Sequence, residues 1–206
     1  MADRPPRRLS ESSRVEAFSD GVFSIAITLL VLELAVPAVR GEFQADLANE
    51  WVSYVAYLAA FATIGVVWMG HHTVFSLVSG IDPGLLWRNL VLLLTVSVVP
   101  FPTAVIASSW RVGTSADQAA AVVAYALVGM ASGVAWLLLF GYLRKHVELL
   151  DPSADRRFFR LTEPGITLVG YGVAALIGWF VSPALALAIF LVFPVLYALR
   201  VRSQAG

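Results

Sequence analysis

Along this chain, polar and apolar positions do not alternate with a helical or strand period. They separate into long uncharged runs joined by short charged stretches. A helix of a soluble domain would show an apolar stripe backed by a polar face, and these runs are apolar nearly all round. The first, Gly21 to Leu32, is short alone but reaches membrane-spanning length once Phe18, Ser19 and Leu34 to Val36 are included. The second runs from Trp51 to Ile81, broken only by His71-His72; the third from Asn89 to Trp110; the fourth from Gln118 to Leu143. Each meets the need for about 20 apolar residues per crossing.

The last run, Pro164 to Leu199, holds 36 residues without a formal charge. As one helix it would be ~54 Å long against a hydrocarbon core of ~30 Å. Ser182-Pro183 falls at its centre, where proline removes a donor and crowds the preceding turn. The pattern therefore predicts a tight hairpin of two short spans. The expected fold is all-α, a single six-span unit over residues 1–206. Its spans lie near 15–36, 50–80, 86–110, 117–143, 160–181 and 183–200.

Composition agrees with a membrane protein: 59% of residues are hydrophobic and 14% charged. The mean hydropathy is +0.79. A formal net charge of zero gives no basic field for nucleic acid, and the lack of cysteine removes thiolate and disulfide chemistry. Loop charge then orients the spans. With the N-terminus in the cytosol, one side carries Arg4, Arg7, Arg8, Arg14, Arg88, Arg144, Lys145, Arg156, Arg157, Arg160, Arg200 and Arg202, and the other only Arg40 and Arg111. This asymmetry follows the positive-inside rule and predicts both termini in the cytosol.

That topology gathers polar groups at one depth. Arg14, Ser19 and Asp20 lie at the inner end of the first span. Trp68, His71 and His72 descend to it on the second, and Asn89 opens the third. Ionisable groups inside a membrane are costly and face protein or water. Two readings fit: a proton relay or ion site, and a hydrogen-bonded clasp between helices. The clasp is favoured, because polar side chains at helix contacts commonly hold helices together. On this reading Asp20 and Arg14 lock the inner end of the first helix to the second and third. His71 and His72 are adjacent, so they point about 100° apart and cannot share a metal as an i, i+4 pair does. Gly129-Met-Ala-Ser-Gly133 is a small-xxx-small pattern expected to pack closely.

On the first helix, Ile25, Leu29 and Leu32 form an i, i+4, i+7 stripe. Asp20 lies about 140° round the wheel from Ile25, on the side of Ser24, Ile27 and Val31. If one face lines a pore, the other is expected to point into the subunit.

Arg14-x-x-x-Phe18-Ser19-Asp20 followed by GVFSIAITLLVLEL resembles the start of the prokaryotic branch of the lysosomal potassium channel family, transmembrane protein 175. The likeness continues through Trp68-Met69-Gly70-His71-His72-Thr73-Val74-Phe75, Asn89-Leu90 and Val99-Pro100-Phe101-Pro102-Thr103. The resemblance implies a potassium-preferring cation channel whose first helix lines a central pathway between four copies. A ring of large apolar side chains narrows that pathway, and Ile25, Leu29 and Leu32 match it by spacing from the motif. Ser24 and Thr28 are candidate hydroxyl layers.

The implied partners are the permeating potassium ion, membrane lipid and three further copies of the chain, in a bacterial plasma membrane. No cofactor, resident metal, nucleic acid or enzymatic activity is expected. The alternative reading is a proton-coupled secondary transporter using Asp20 and the His71/His72 pair. It is disfavoured by the absence of an inverted repeat and of a proline or glycine break within Val22 to Leu34.

Overall fold

A computed structural model describes residues 11–34, 43–155 and 159–204. Arg4, Arg7, Arg8, Arg40, Arg156 and Arg157, which enter the charge asymmetry, lie outside them. The described residues form helices α1 (Glu11–Leu29), α2 (Phe43–Asn49), α3 (Trp51–Ser76), α4 (Pro83–Val98), α5 (Pro100–Val112), α6 (Ser115–Lys145), α7 (Thr162–Phe180) and α8 (Pro183–Gln204). Short 3₁₀ turns follow α1 at Leu30–Glu33 and α6 at Val147–Leu149. The protein is an all-helical, multi-pass membrane protein. Five stretches, Ser12–Glu33, Trp51–Ser76, Pro83–Val112, Ser115–Lys145 and Thr162–Phe180, are long and apolar enough to cross a bilayer, and the apolar stretch of α8, Pro183–Leu196, is shorter.

Proline places two of the boundaries. The long uncharged run near the C-terminus is divided at Val181-Ser182, where both backbone N–H groups fold back onto the Ile177 carbonyl at 2.9 Å. The third expected span, 86–110, differs from a single helix. It breaks at Val99, because neither Pro100 nor Pro102 has an N–H to donate to the carbonyls four residues earlier. The Val99 N–H closes instead on the Val96 carbonyl at 3.1 Å, a tighter turn, and the Thr103 hydroxyl caps the Val99 carbonyl at 2.9 Å. The second span also ends early, at Ser76. Residues 77–82 are a pinned connection: the Ser79 and Gly80 N–H groups both donate to the Leu149 carbonyl, and the Asp151 N–H donates to that of Leu77.

Asp82 fastens this connection to α4 and α6. Its Oδ1 caps α4 by accepting the Leu85 N–H at 2.7 Å, with Pro83 in the first turn where its missing donor costs nothing. Its Oδ2 accepts the Tyr142 hydroxyl, and the Arg88 guanidinium lies 3.9 Å over the Tyr142 ring. The Tyr142 bond first, then the Leu85 N–H, hold the Asp82 carboxyl below the ordinary carboxylate range. A lowered pKa in the folded state contributes stability above the ordinary value near pH 4, lost as pH falls through the lowered value. Melting curves of wild type and Asp82→Asn between pH 7 and pH 3 are therefore expected to converge on acidification. A gap of constant size across that range would remove Asp82 from the acid response.

α6 is the hub. It packs on α4, α5, α7 and α8, while α3 packs on α5 and α8. Small residues allow the closest crossing: a Cβ on Gly129 would stand 2.5 Å from the Tyr171 ring, and one on Gly133 would stand 3.3 Å from the Leu168 backbone nitrogen. α1 sits at the margin of this bundle, against α3 and α4, with its 3₁₀ turn against α3 and α5. One side of α1 is therefore left open.

Candidate functional site

The first helix divides sharply into two faces. Ser19, Phe23, Ala26 and Leu30 recur at intervals of four, three and four residues, and all are buried against the bundle. On the opposite side, Ile25 is 60% exposed, Leu29 42% and Leu32 73%. Phe18, Gly21 and Thr28 are exposed on that side as well, and Ser24 is exposed at its edge towards Asp20. The expectation that either the Ile25 side or the Asp20 side would enter the subunit is corrected here. The buried stripe is a third face, centred on Phe23, and Asp20 sits at its border with solvent.

The 3₁₀ turn matters to this stripe. In an α-helix Leu32 would drift some 60° from Leu29, whereas residues three apart in a 3₁₀ turn eclipse. Leu30–Glu33 adopts that tighter winding, so Leu32 continues the line of Leu29. Ile25, Leu29 and Leu32 then form layers spaced by about 6 Å, from four α-helical steps and three 3₁₀ steps. The Thr28 hydroxyl donates to the carbonyls of Ser24 and Ile25, both at 3.0 Å. With its hydrogen engaged, it offers outward only acceptor lone pairs.

At the Ser19–Asp20 end of α1, the polar side chains form two separate hydrogen-bonded groups. The buried piece is a directional chain: His71 Nε2–H donates to Asn89 Oδ1 at 2.9 Å, Asn89 Nδ2–H to Ser19 Oγ at 3.0 Å, and Ser19 Oγ–H to the Val15 carbonyl at 2.8 Å. Asn89 Oδ1 accepts, so His71 carries its proton on Nε2. The imidazole is only 1% exposed, stacked on Phe75 with ring centroids 4.2 Å apart and met by the edge of Phe23 at 5.3 Å. α1, α3 and α4 thus meet in one chain of neutral hydrogen bonds.

The second piece is exposed. Trp68 Nε1–H donates to Asp20 Oδ1 at 2.9 Å, and His72 lies against Trp68 with ring centroids 6.1 Å apart. Arg14 and Phe18 belong to neither piece. Six residues separate Arg14 from Asp20, about 9 Å of rise and a third of a turn apart, so the two do not meet. Arg14 is exposed on the Ile25 side and makes no ion pair among the described residues. The sequence reading also gave no role to Phe23, Ala26 and Leu30, although their spacing with Ser19 marks a packing stripe.

An apolar multi-pass bundle with a marginal first helix, clasped at one end and open along a stripe of hydroxyl and aliphatic side chains, defines a membrane-transport protein of the helical pore type. The family model described as "Endosomal/lysosomal potassium channel TMEM175" matches residues 14–100. A protein named as a potassium channel from Streptomyces collinus is 42% identical over 183 residues, covering 87% of this chain and 88% of that one. Another so named, from Chamaesiphon minutus, is 38% identical over 211 residues, covering 97% and 98%. Among solved structures, a lysosomal potassium-selective channel TMEM175 homolog from Chamaesiphon minutus superposes with a TM-score of 0.76 at 36% identity, over 92% of this chain and 97% of that one. The chain belongs to the TMEM175 family.

Proposed function

We propose that this protein is a passive, potassium-preferring cation channel in the bacterial plasma membrane, with no enzymatic activity. Four copies surround a central pathway lined by α1, and Ile25, Leu29 and Leu32 form its constriction. The observation that carries this reading is the exposed stripe of α1, on a face distinct from the buried stripe of Phe23, Ala26 and Leu30. Its composition separates it from a lipid-facing surface. Beyond its first residue, Thr162, the exposed positions of α7 are Ile166, Val169, Val173, Leu176, Trp179 and Phe180, all of them hydrophobic. The stripe of α1 mixes Ile25, Leu29 and Leu32 with Ser24, Thr28 and Arg14, a mixture suited to an aqueous axis. One copy presents the stripe on an open side, so a closed ring of copies is what encloses a pathway.

An ion crossing three aliphatic layers must give up water, and such a constriction gates by dewetting. Potassium holds its hydration shell less tightly than sodium, which favours potassium modestly. The test is the reversal potential of the purified protein in a planar bilayer with potassium on one side and sodium on the other. The expected current reverses toward the potassium equilibrium potential. A current reversing at zero would overturn the preference. Transport that is electrically silent but proton-dependent would overturn the channel.

A further inference from the structure

The break at Val99 leaves backbone groups without partners. An unbroken α-helix would serve the carbonyls of residues 95–99 with the N–H groups of residues 99–103, and two of those donors are missing at Pro100 and Pro102. The Val99 N–H goes to the Val96 carbonyl at 3.1 Å and the Thr103 N–H to that of Val99 at 3.3 Å. Only the Phe101 N–H is left for the carbonyls of Thr95, Ser97 and Val98, so at least two of these have no backbone donor. Nearby hydroxyls do not replace it: those of Thr95, Ser97 and Thr103 donate to Leu92, Leu94 and Val99. Val99 lies ~24 Å of helix from Pro83 and ~20 Å from Val112, so the break is near mid-membrane. Ser97 and Val98 are exposed, and it therefore opens on the outside of the subunit.

Hydrocarbon supplies no donor, so irregular backbone at this depth is covered by protein or lines water. The surroundings select protein. Around the break, α4 and α5 expose Leu90, Val91, Leu94, Val98 and Phe101, all apolar, and the Ser97 hydroxyl hydrogen is turned back onto its own helix. This face is too polar in its backbone for lipid and too apolar in its side chains for an aqueous wall. Ring geometry names the cover. α1 is held to α3 through Asp20–Trp68 and to α4 through Ser19–Asn89, and Asp20 and Ser19 stand about 100° apart on α1. α3 and α4 thus flank α1, and a ring closed around the open stripes of α1 brings the α4 flank of one copy against the α3 flank of the next.

α3 carries a surface that fits. Its open face presents Leu58 and Met69, 52% and 56% exposed, with Ala62 and Gly65 between them at helical spacing. A Cβ on Gly65 would meet nothing within 4 Å. The depths agree as well. The His71–Asn89 bond marks a common level on α3 and α4. Counted from it, Gly65 and Ala62 lie about 9 and 13 Å along α3, and Ser97 and Val98 about 12 and 13 Å along α4. Rotation about the membrane normal keeps those depths. We propose that each copy seats its α4–α5 break on Ala62 and Gly65 of the next copy's α3, an inference that rests on the ring of the proposed function. Small residues let the two backbones approach closely, and their Cα–H groups then meet the free carbonyls.

Native mass spectrometry of the purified full-length protein tests the contact. Gly65 faces open space within one subunit, so Gly65→Leu is expected to keep the helical content of the wild type by circular dichroism and to lose the tetramer. Gly141→Leu, where a Cβ also meets nothing within 4 Å, is expected to remain tetrameric. A tetrameric Gly65→Leu would overturn the contact alone, whereas a wild type that forms no ring would overturn the proposed pathway and the contact with it. The chain has no cysteine, so the double variant Gly65→Cys with Ser97→Cys gives an independent reading. Mild oxidation in membranes is expected to link it into species up to the tetramer, and to link neither single variant. A double variant that stays unlinked within an intact tetramer would also overturn the contact.

Discussion

Leu29→Ser is expected to raise single-channel conductance and to lower the discrimination between potassium and sodium. In the proposed ring of four copies, the Leu29 layer would stand between those of Ile25 and Leu32 and be dewetted from both sides, and one substitution would replace the whole layer. A serine hydroxyl can hydrogen-bond the water an ion would otherwise shed. Each ~1.4 kcal/mol removed from the crossing barrier raises the passage rate about tenfold. Ile25 and Leu32 remain as barriers, so the single substitution is expected to give several-fold, and the triple substitution more. The matched control is Val173→Ser, an exposed position of α7, a helix that packs on α6 and α8 rather than on α1's neighbours α3 and α4, which should leave conductance unchanged. Single-channel recording in mixed potassium and sodium gives both quantities. Unchanged conductance and reversal potential in Leu29→Ser would take this side chain out of the pathway.

The exposed stripe was legible in outline because i, i+4, i+7 spacing keeps Ile25, Leu29 and Leu32 within about 60° of one another; the 3₁₀ turn that brings Leu32 into line with Leu29 was not. Of the polar residues expected to gather, Ser19, Asn89 and His71 are hydrogen-bonded to one another and Asp20 to Trp68, whereas Arg14 and Phe18 join neither group. That pairing was not legible. Ser19 and Asp20 are neighbours in sequence but lie about 100° apart on the wheel, and that angle alone decides which enters the bundle and which stays at its margin. Attention falls on the charged residue, whereas burial selects the neutral one, because a neutral hydroxyl is far cheaper to take out of water than a carboxylate. The break at Val99 was written in Pro100 and Pro102 and was hidden by the unbroken apolar run around them. The hydrogen bonds of Thr63 on α3 with Tyr125 on α6 and Tyr171 on α7 had no sequence signal, since the partners are 62 and 108 residues away on helices whose faces only packing sets.

The same angle gives the second large effect. Asn89→Leu keeps the branching of the side chain in a larger apolar form and removes both the acceptor of His71 Nε2–H and the donor to Ser19 Oγ. Asn89 is 2% exposed and His71 1%, so no solvent replaces the lost partners, and a buried unpaired donor costs about 1–3 kcal/mol. Together with the lost bond to Ser19, the loss is expected at about 2–3 kcal/mol, a melting temperature lower by about 5–10 °C. α1 should loosen from α3 and α4 at that end. Asp20→Asn is expected to do far less. The carbonyl of asparagine still accepts the Trp68 indole N–H, and at an exposed position the change falls within about 0.5 kcal/mol. Thermal melting and size-exclusion chromatography of the two variants, side by side, test the order. A severely destabilised Asp20→Asn beside a well-folded Asn89→Leu would mean that the exposed indole–carboxylate pair holds the first helix, and that the buried neutral chain only accompanies it.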